Sequence, residues 1–568
     1  MTKKSEYTTM NNNQFKLAVL LWFLLAVLLP FASYSQTHTE RVTIVGAFQP
    51  SLKDATKITM NPVASEMSLQ QTNSEPSYLE RIALTFTEAE LISPLMVNVK
   101  EKNQRYRNFL QTGIGSNASP LFLFTHHSAL SSAGSLNLEL QHLSSWIQVR
   151  DYAPSAWMQN KAKAGYRHTL NNHVLQTNVA YGFNRNNFYG FKPDDYPGIT
   201  FSNSDIRQTH QLIAANAQLA SNYRSANALH HHADFGYQRY SNYYGLSENS
   251  FKLDGKLSKQ PELFRFDGKQ LLELEINGGY YGTTDSLKNT LNELGISLRP
   301  MIGLRGSFYE LKAGLRLSMQ SDSVSQWLAH PAISGKLFIF DEKMELYAGL
   351  DGKIHRNGLA ELTDENPFLS PVNQSYWSNE RYIFNTGIKT GLVKGLDLHA
   401  GLQYSETDND GFYTTDTMGL FRNQFTLVHD YVKRLRFVGE ASYQFSDQIG
   451  VKFVFAHDQY VTDSLAKAWH RPGISFSARG EYRLDEKLRL QLEFLYFGER
   501  YAPEWSSGIE SAVKMKDVYD LNIGAVYAIS DRLGAFARLN NVLHNRYERY
   551  YNYPVQGIQL FGGITYRF

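Results

Sequence analysis

Hydrophobic and polar residues alternate along most of the chain beyond position 105. Between 487 and 496, Leu488, Leu490 and Leu492 fall on one face, and Arg489 and Glu493 fall on the other. Successive side chains of a β-strand point to opposite faces, so this pattern predicts strands with one apolar and one polar surface. Similar runs recur at 344–353, 435–445 and 519–527. Many runs reach about ten residues, whereas strands of soluble proteins average roughly 5–6, and this length favours a transmembrane β-barrel.

The alternating region predicts an all-β fold, a large antiparallel transmembrane barrel that occupies residues 105–568. Segmentation from Tyr106 to Phe568 gives roughly 22 strands, within a range of about 20 to 24, because 411–432 can be divided in two ways. A barrel of this width encloses a lumen that its own side chains do not fill. The polar faces of two strands supply the predicted lumen lining, which consists of Lys487, Arg489, Glu493, Asp520 and Asn522.

Short polar connections alternate with long ones along the predicted barrel. Turns at 446–448 and 530–532 contrast with the longer segments 355–379, 500–516 and 544–554. Barrels of the bacterial outer membrane have short periplasmic turns and longer external loops. Aromatic residues crowd the strand ends beside the long loops and suggest an interfacial girdle, with a carbohydrate-stacking platform as the alternative. These residues are Phe188, Tyr189, Tyr243, Tyr244, Tyr280, Tyr281, Tyr547, Tyr550, Tyr551 and Tyr553.

The N-terminus has the pattern of a secretory signal peptide. Three lysines precede the apolar run 17–29, and small residues follow at 32–35. The run is shorter than the ~20 residues that span a bilayer, so we expect residues 1–35 to be removed between Ser35 and Gln36. Residues 36–104 then form a periplasmic lead-in or a partial filler of the lumen. The predicted location is the outer membrane of a bacterium with two membranes.

Composition narrows the chemistry further. The chain has no cysteine, which excludes disulfides, thiolate metal sites and a cysteine nucleophile. Its 56 lysines and arginines nearly balance 54 aspartates and glutamates, so we expect no nucleic-acid partner. Phosphate-binding loops and metal-ligand spacings are not evident, and we expect no cofactor and no metal site.

The last ten residues carry the most specific motif. In 559–568, Ile564, Tyr566 and Phe568 share one face and the chain ends on an aromatic residue. This pattern resembles the C-terminal strand that the outer-membrane assembly machinery recognises. The longer stretch 535–568, with Leu539-Asn540-Asn541-Val542-Leu543 and Arg546-Tyr547-Glu548, resembles the final hairpin of TonB-dependent receptor barrels. The resemblance implies an outer-membrane transport barrel.

The chain departs from that family before the barrel. TonB-dependent receptors carry a plug domain of well over a hundred residues and a TonB-contacting box near the mature N-terminus. Here only residues 36–104 precede the first predicted strand, and they show neither feature. We therefore expect a receptor-like barrel without its own plug.

A second, smaller resemblance concerns one pair of predicted strands. His142 and Ser144 share an apolar face, and Asn160 lies on the next strand. A histidine that deprotonates a serine and is oriented by an asparagine, facing lipid, resembles outer-membrane phospholipases. The commoner explanation is a polar strand end at the level of the lipid headgroups. We expect the protein not to be an enzyme.

Three function classes remain open from the sequence. The first is a transport barrel or channel without its own plug, and the second is a non-transporting accessory barrel of an assembly or secretion complex. The third is a lipid-facing phospholipase. The expected partners are outer-membrane lipid, the outer-membrane assembly machinery, and a separate plug, lipoprotein or complex subunit.

Overall fold

A computed structural model describes residues 106–568, except positions 117, 132, 147, 322–324, 341, 373–374 and 507–508. The predicted signal peptide 1–35, its cleavage between Ser35 and Gln36, and the lead-in segment 36–104 lie outside the described residues.

The described chain forms one large antiparallel sheet of 22 strands that closes on itself. This confirms the predicted fold class and strand number. The strands of the wall are β1 (Asn108–Gly115), β2 (Ser119–Ala129), β3 (Gly134–Ser145), β4 (Trp157–Leu170), β5 (His173–Asn187), β6 (Arg207–Ser221), β7 (His230–Asn242), β8 (Ser247–Lys259), β9 (Lys269–Thr284), β10 (Thr290–Arg305), β11 (Tyr309–Ser321), β12 (Ser325–Ile339), β13 (Met344–Asn357), β14 (Tyr376–Val393), β15 (Leu396–Thr415), β16 (Phe425–Gln444), β17 (Ile449–Thr462), β18 (Ile474–Arg483), β19 (Leu488–Gly498), β22 (Val518–Ala528), β23 (Leu533–Asn540) and β26 (Gln559–Arg567).

Smaller elements lie in the connections between wall strands. They are the hairpin β20 (Tyr501–Ser506) and β21 (Ile509–Lys514), the pair β24 (Glu548–Tyr550) and β25 (Tyr553–Pro554), helix α1 (Leu359–Glu365) and a 3₁₀ turn (Pro193–Asp195). In the described part of the chain, none of the helices has the length and apolarity needed to cross a bilayer.

The first and last wall strands meet at a seam. Strand β1 pairs with β26 along the register Phe109↔Arg567 to Gly115↔Phe561. At its end, the Asn108 N–H donates to the Phe568 carbonyl at 2.9 Å, and the Phe568 N–H donates back at 3.1 Å. Closure leaves the sheet with no free edge, which is the condition for a sheet to stand in a bilayer.

The two faces of the wall differ in chemistry. Large apolar side chains such as Leu492 and Ile523 are exposed on the outer face, at 46% and 39%. On the other face, Arg356 of β13 reaches Glu248 of β8, five strands away, and only the concave side of a barrel permits such a contact. The inner face is therefore the polar one.

Connections divide between the two ends of the barrel. Both termini of the described chain and most short turns lie at one end, which we call the turn end; its longest connections are 222–229 and 260–268. All longer connections lie at the other end, the loop end, together with short ones such as 243–246. The predicted placement of the long loops at one end therefore holds, but short connections occur at both ends, and the long loops contain more regular structure than the sequence suggested. Strand β13 continues to Asn357 and β14 begins at Tyr376, so the loop predicted at 355–379 is shorter, and the segment 500–516 contains the hairpin β20–β21.

Candidate functional site

Seven connections of the loop end pack against one another to form a layer that we call the roof. They are the segments 146–156, 188–206, 358–375, 416–424, 463–473, 499–517 and 541–558. The roof lies above the polar lumen, so these two features together form the candidate site.

The roof has a core of buried aromatic side chains. Phe188 and Tyr547 are fully buried, and Tyr553 is 1% exposed. Tyr553 stacks on Phe368 with ring centroids 3.8 Å apart, and Phe191 stacks on Phe421 at 4.1 Å. Burial of one large apolar side chain stabilises a fold by about 1.5–3 kcal/mol, so the closed roof is held by several such contributions.

This aromatic core corrects the predicted interfacial girdle. Phe188, Tyr547, Tyr550 and Tyr553 are buried in the roof, and only Tyr243 and Tyr280 among the predicted girdle residues are highly exposed, at 50% and 46%; Tyr280 lies on the outer face. Aromatic residues beside long loops occur both at a membrane interface and in a packed loop layer, and no local pattern indicates that loops distant in the chain contact one another.

Contacts within the roof span the barrel mouth. The loops 188–206 and 416–424 follow β5 and β15, which occupy positions 5 and 15 in the ring of 22 strands and so lie on opposite sides. The Asn423 side-chain amide donates to the Phe188 carbonyl at 2.6 Å across this span. Tyr196 donates its hydroxyl to the Phe421 carbonyl at 3.4 Å. The loops therefore close over the opening instead of standing apart around it.

A buried histidine joins two roof segments to the end of wall strand β15. His470 lies in the segment 463–473, and its Nδ1 bonds the Tyr413 carbonyl at 3.1 Å. Its Nε2 accepts the Tyr551 N–H at 3.4 Å. These partners require a neutral ring with the proton on Nδ1. Burial, and secondarily the charge of Arg500, lowers the pKa of His470 to about 3.

Helix α1 is anchored to the wall by a buried charge cluster. Glu248 accepts the Leu359 N–H at 3.2 Å, at the first turn of the helix, and an Arg356 Nη2–Glu248 Oε2 ion pair of 3.1 Å holds the carboxylate. Arg356 also bonds Glu293 and lies 4.8 Å from the ring centre of Tyr281. The Arg356 and Glu293 side chains are each 2% exposed, so this part of the inner wall excludes water.

The predicted lumen residues occupy three kinds of position. Arg489 and Glu493 alternate with leucines on β19, of which Leu492 is exposed, and Glu493 accepts from the Arg479 Nε at 2.7 Å. Asp520 accepts the Tyr547 hydroxyl at 2.8 Å, and Asn522 accepts the Asn541 N–H at 3.0 Å. Asp520 and Asn522 therefore hold the last roof loop as well as lining the wall.

Lys487 is the exception among those five residues. It precedes β19 and lies exposed in the turn 484–487, where its N–H donates to the Asp485 carboxylate at 2.8 Å. An Asp whose carboxylate accepts the following backbone N–H groups is typical of a turn. Strand β19 therefore begins at Leu488, one residue later than the alternation suggested.

The inner wall carries further ion pairs that join non-adjacent strands. Arg299 of β10 contacts Glu275 at 2.9 Å and Asp351 of β13 at 2.6 Å. Lys312 of β11 contacts Glu273 at 3.1 Å. The pairs balance opposite charges along the inner face, so neither positive nor negative charge dominates this part of the wall.

The structure brings the predicted Ser–His–Asn trio together. The Ser144 Oγ lies 3.3 Å from the His142 Nε2, and the His142 Nδ1 lies 2.7 Å from the Asn160 Oδ1. Ser144 shares the outer face with Leu140 and Trp146, which are 46% and 67% exposed, whereas Ser144 itself is 3% exposed. The trio has the order of nucleophile, base and orienting group.

The C-terminal motif lies on the outer face of the seam strand. Ile564, Tyr566 and Phe568 are 48%, 37% and 47% exposed, and the last two rings stack at 5.4 Å. These three side chains form an apolar row on the outside of the barrel, the side that contacts lipid in a membrane barrel.

Several site residues were not predicted from the sequence. Arg356, Glu293 and His470 come from strands and loops far apart in the chain, and each is a common residue type in no recognisable motif. The only usable sign was the aromatic content of loops too long to be simple turns.

Comparison with known proteins gives a fold match without a sequence match. No protein-family model and no curated protein matches the sequence. Among solved structures, the FrpB iron transporter from Neisseria meningitidis aligns with a TM-score of 0.62 at 12% identity, covering 82% of each chain. The siderophore receptor PirA from Acinetobacter baumannii gives 0.61 at 10% identity, covering 83% of this chain and 81% of PirA. The ferric-catecholate import receptor Fiu from E. coli K12 gives 0.60 at 8% identity, covering 82% of each chain.

The fold is that of the TonB-dependent receptor barrels. The 22-stranded barrel fits these neighbours, in agreement with the resemblance of the final hairpin to this family.

Proposed function

We propose that the chain is an outer-membrane transport barrel whose own loops close its external mouth. The roof that spans the polar lumen is the observation that carries the proposal. A closed wall with an apolar exterior and a polar interior provides a path for polar solutes, and a packed roof provides control over that path. The fold match to iron and siderophore receptors supports this assignment.

Transport through this barrel requires the roof to open. The turn end is the periplasmic end in this proposal, as short turns and both barrel termini favour. Residues 36–104 would reach the lumen from that end as a lead-in or partial filler, and a separate plug or lipoprotein would complete the closure. Assembly by the outer-membrane machinery would use Ile564, Tyr566 and Phe568.

A solute-flux assay tests the proposal. The protein is reconstituted in liposomes, and swelling in small neutral sugars is compared with that of a variant in which 359–372 is replaced by a short Gly–Ser turn. We expect slow swelling with the parent protein and fast swelling with the variant. A folded variant that admits no sugar would contradict transport and favour the accessory barrel.

The hydrogen-bonded trio Ser144–His142–Asn160 favours a second candidate function, hydrolysis of a lipid ester. In this reaction the Ser144 Oγ attacks the ester carbonyl while His142 takes its proton. The histidine then gives that proton to the departing alcohol, and water releases the acyl group. The same bonds also satisfy three polar groups on a face that contacts hydrocarbon, which is their simpler role.

A serine-reactive probe separates these two roles. A fluorophosphonate forms a covalent bond with Ser144 only if His142 activates the hydroxyl. We expect the parent protein and Ser144→Ala to be equally unlabelled and equally inactive on phospholipid vesicles. Labelling that Ser144→Ala and His142→Ala both abolish would establish a hydrolase.

A further inference from the structure

A shallow apolar groove of about 620 Å³ crosses the outer wall from β5 to β10, and each of these six strands contributes to its lining. Its floor consists of small residues, including Ala215, Ala217 and Gly278, and its sides include Phe235 and Phe251. The two phenylalanines are 58% and 54% exposed, so the groove opens toward the lipid side of the wall.

The strand register explains the groove. Ala217 of β6 lies opposite Phe235 of β7, and Gly278 of β9 lies opposite Leu253 of β8. Small residues on β6 and β9 leave depressions beside the large side chains of β7 and β8, the two strands between them. An extended hydrocarbon chain fits such a depression better than a flat wall does.

Three arginines occupy the same outer face between the groove and the loop end. Arg239 is exposed, and its Nη1 donates to the Asn249 side-chain oxygen at 3.0 Å, a neutral acceptor that leaves the charge unbalanced. Arg185 alternates with exposed Tyr181 on β5, and Arg207 alternates with inward Gln208 and His210 on β6.

Arg185 and Arg207, the two arginines nearest the roof, have like charges and an unpaired hydrogen-bond donor. Arg207 pairs with Asn187, two residues beyond Arg185, so the two like charges are diagonal neighbours on one face of the wall. The Nε of Arg207 is buried and has no hydrogen-bond partner among the residues that the structure describes. Two repelling guanidiniums with an unused donor form a site for an anion.

The strand register gives the spacing of the three arginines and the groove along the strands. Arg239 lies opposite Ile213, and Arg185 lies opposite Thr209, so their levels along β6 differ by four residues, or about 13 Å at ~3.3 Å per residue. A further four residues of β7 separate Arg239 from Phe235, again about 13 Å along the strand. At a strand tilt of about 40° this is about 10 Å of depth, which places Phe235 within the ~15 Å half-thickness of a hydrocarbon core below Arg239.

We propose that this face binds a lipid with two phosphates, one at Arg185 and Arg207 and the other at Arg239, with an acyl chain in the groove. The site rests on the membrane placement of the barrel in the proposed function, but not on transport. A bound lipid there would fix β5–β8, the strands whose loop 188–206 enters the roof.

Native mass spectrometry of the detergent-purified protein tests the site. Diphosphoryl lipid A, monophosphoryl lipid A and phosphatidylglycerol are added in turn. We expect the diphosphoryl form to bind most tightly, and Arg185→Gln or Arg239→Gln to weaken it about tenfold, which corresponds to about 1.4 kcal/mol. Ala217→Phe, which fills the groove, should weaken all three lipids.

Arg150→Gln is the matched control, because Arg150 is an exposed cation of the loop end away from the groove. It should leave binding unchanged. Equal binding of the three lipids to the parent protein, or equal loss in the control, would overturn the site. Because binding is read without transport, a barrel that passes no solute could still satisfy this test.

Discussion

Single residues hold the roof to the wall, and Arg356 is the clearest case. Its guanidinium contacts two carboxylates, Glu248 and Glu293, in a region where all three side chains are at most 4% exposed. Removal of one partner from a buried ion pair leaves an uncompensated charge and costs about 3–5 kcal/mol. Loss of Arg356 also weakens the attachment of helix α1 to the wall, since Glu248 accepts the Leu359 N–H.

We therefore expect Arg356→Met to destabilise the folded barrel by about 3–5 kcal/mol. The measurement is the temperature at which the compact barrel converts to the slower unfolded band on a gel. Arg381→Met is the control, because Arg381 pairs with Asp408 but its side chain is 52% exposed. Equal effects of the two substitutions would contradict a special role for the buried cluster.

His470 makes closure of the roof dependent on pH. Its pKa is lowered to about 3 in the closed roof, against an ordinary value near 6.5, so an opened roof takes up a proton that the closed roof excludes. The closed state therefore loses stability as pH falls below about 6.5. Desolvation raises the pKa of Glu365 and Glu548, which acts in the opposite direction.

The contribution of His470 can be isolated with a thiol probe. The chain has no cysteine, and Ala153 is fully buried in the roof, so Ala153→Cys should react with a thiol reagent only when the roof opens. The labelling rate is divided by that of a free thiol at the same pH, because the reagent reacts with the thiolate. We expect this ratio to be higher at about pH 5 than at about pH 7, and the difference to be smaller when His470→Gln is added. An unchanged difference would exclude His470 as the cause.

At the level of elements, the loops depend on close approach at one glycine. A Cβ at Gly190 would overlap the ring of Tyr553, which is 1% exposed in the roof core. Gly190→Ala should displace that ring and loosen the β24–β25 pair. Gly419 is a matched control in another roof loop, where an added Cβ meets nothing within 4 Å.

We expect Gly190→Ala to raise the labelling rate of Cys at position 153 by about tenfold or more, equivalent to about 1.4 kcal/mol. Gly419→Ala should label like the parent. A Gly190→Ala protein that stays as protected as the parent would show that Tyr553 does not hold the roof closed.

The wall strands were predictable because lipid outside and polar groups inside impose a strict alternation along each strand. Leu492 and Glu493 fall on the faces that this alternation assigns to them. The roof was not predictable in the same way, since its contacts join residues such as Phe188 and Asn423 that lie 235 positions apart. No local sequence pattern indicates such a contact. The sequence therefore predicts an interfacial girdle from tyrosines that the structure places in the roof.

For the whole molecule, the central claim is that a packed roof closes a polar lumen. The wall encloses the lumen, the inward charges make it polar, and the loop contacts span its mouth. In the proposed function these features form one gated path. In the proposed function, opening of the path breaks the hydrophobic contacts of the roof. The wall stays intact, because its sheet is closed and has no free edge at which strands could separate.

Single-channel conductance in a planar bilayer tests this claim most directly. The protein from Gln36 to Phe568 is compared with the variant in which 359–372 is replaced by a short Gly–Ser turn. We predict rare, brief openings for the parent and a large steady conductance for the variant. A large steady conductance from the parent, or silence from a folded variant, would contradict closure by the roof.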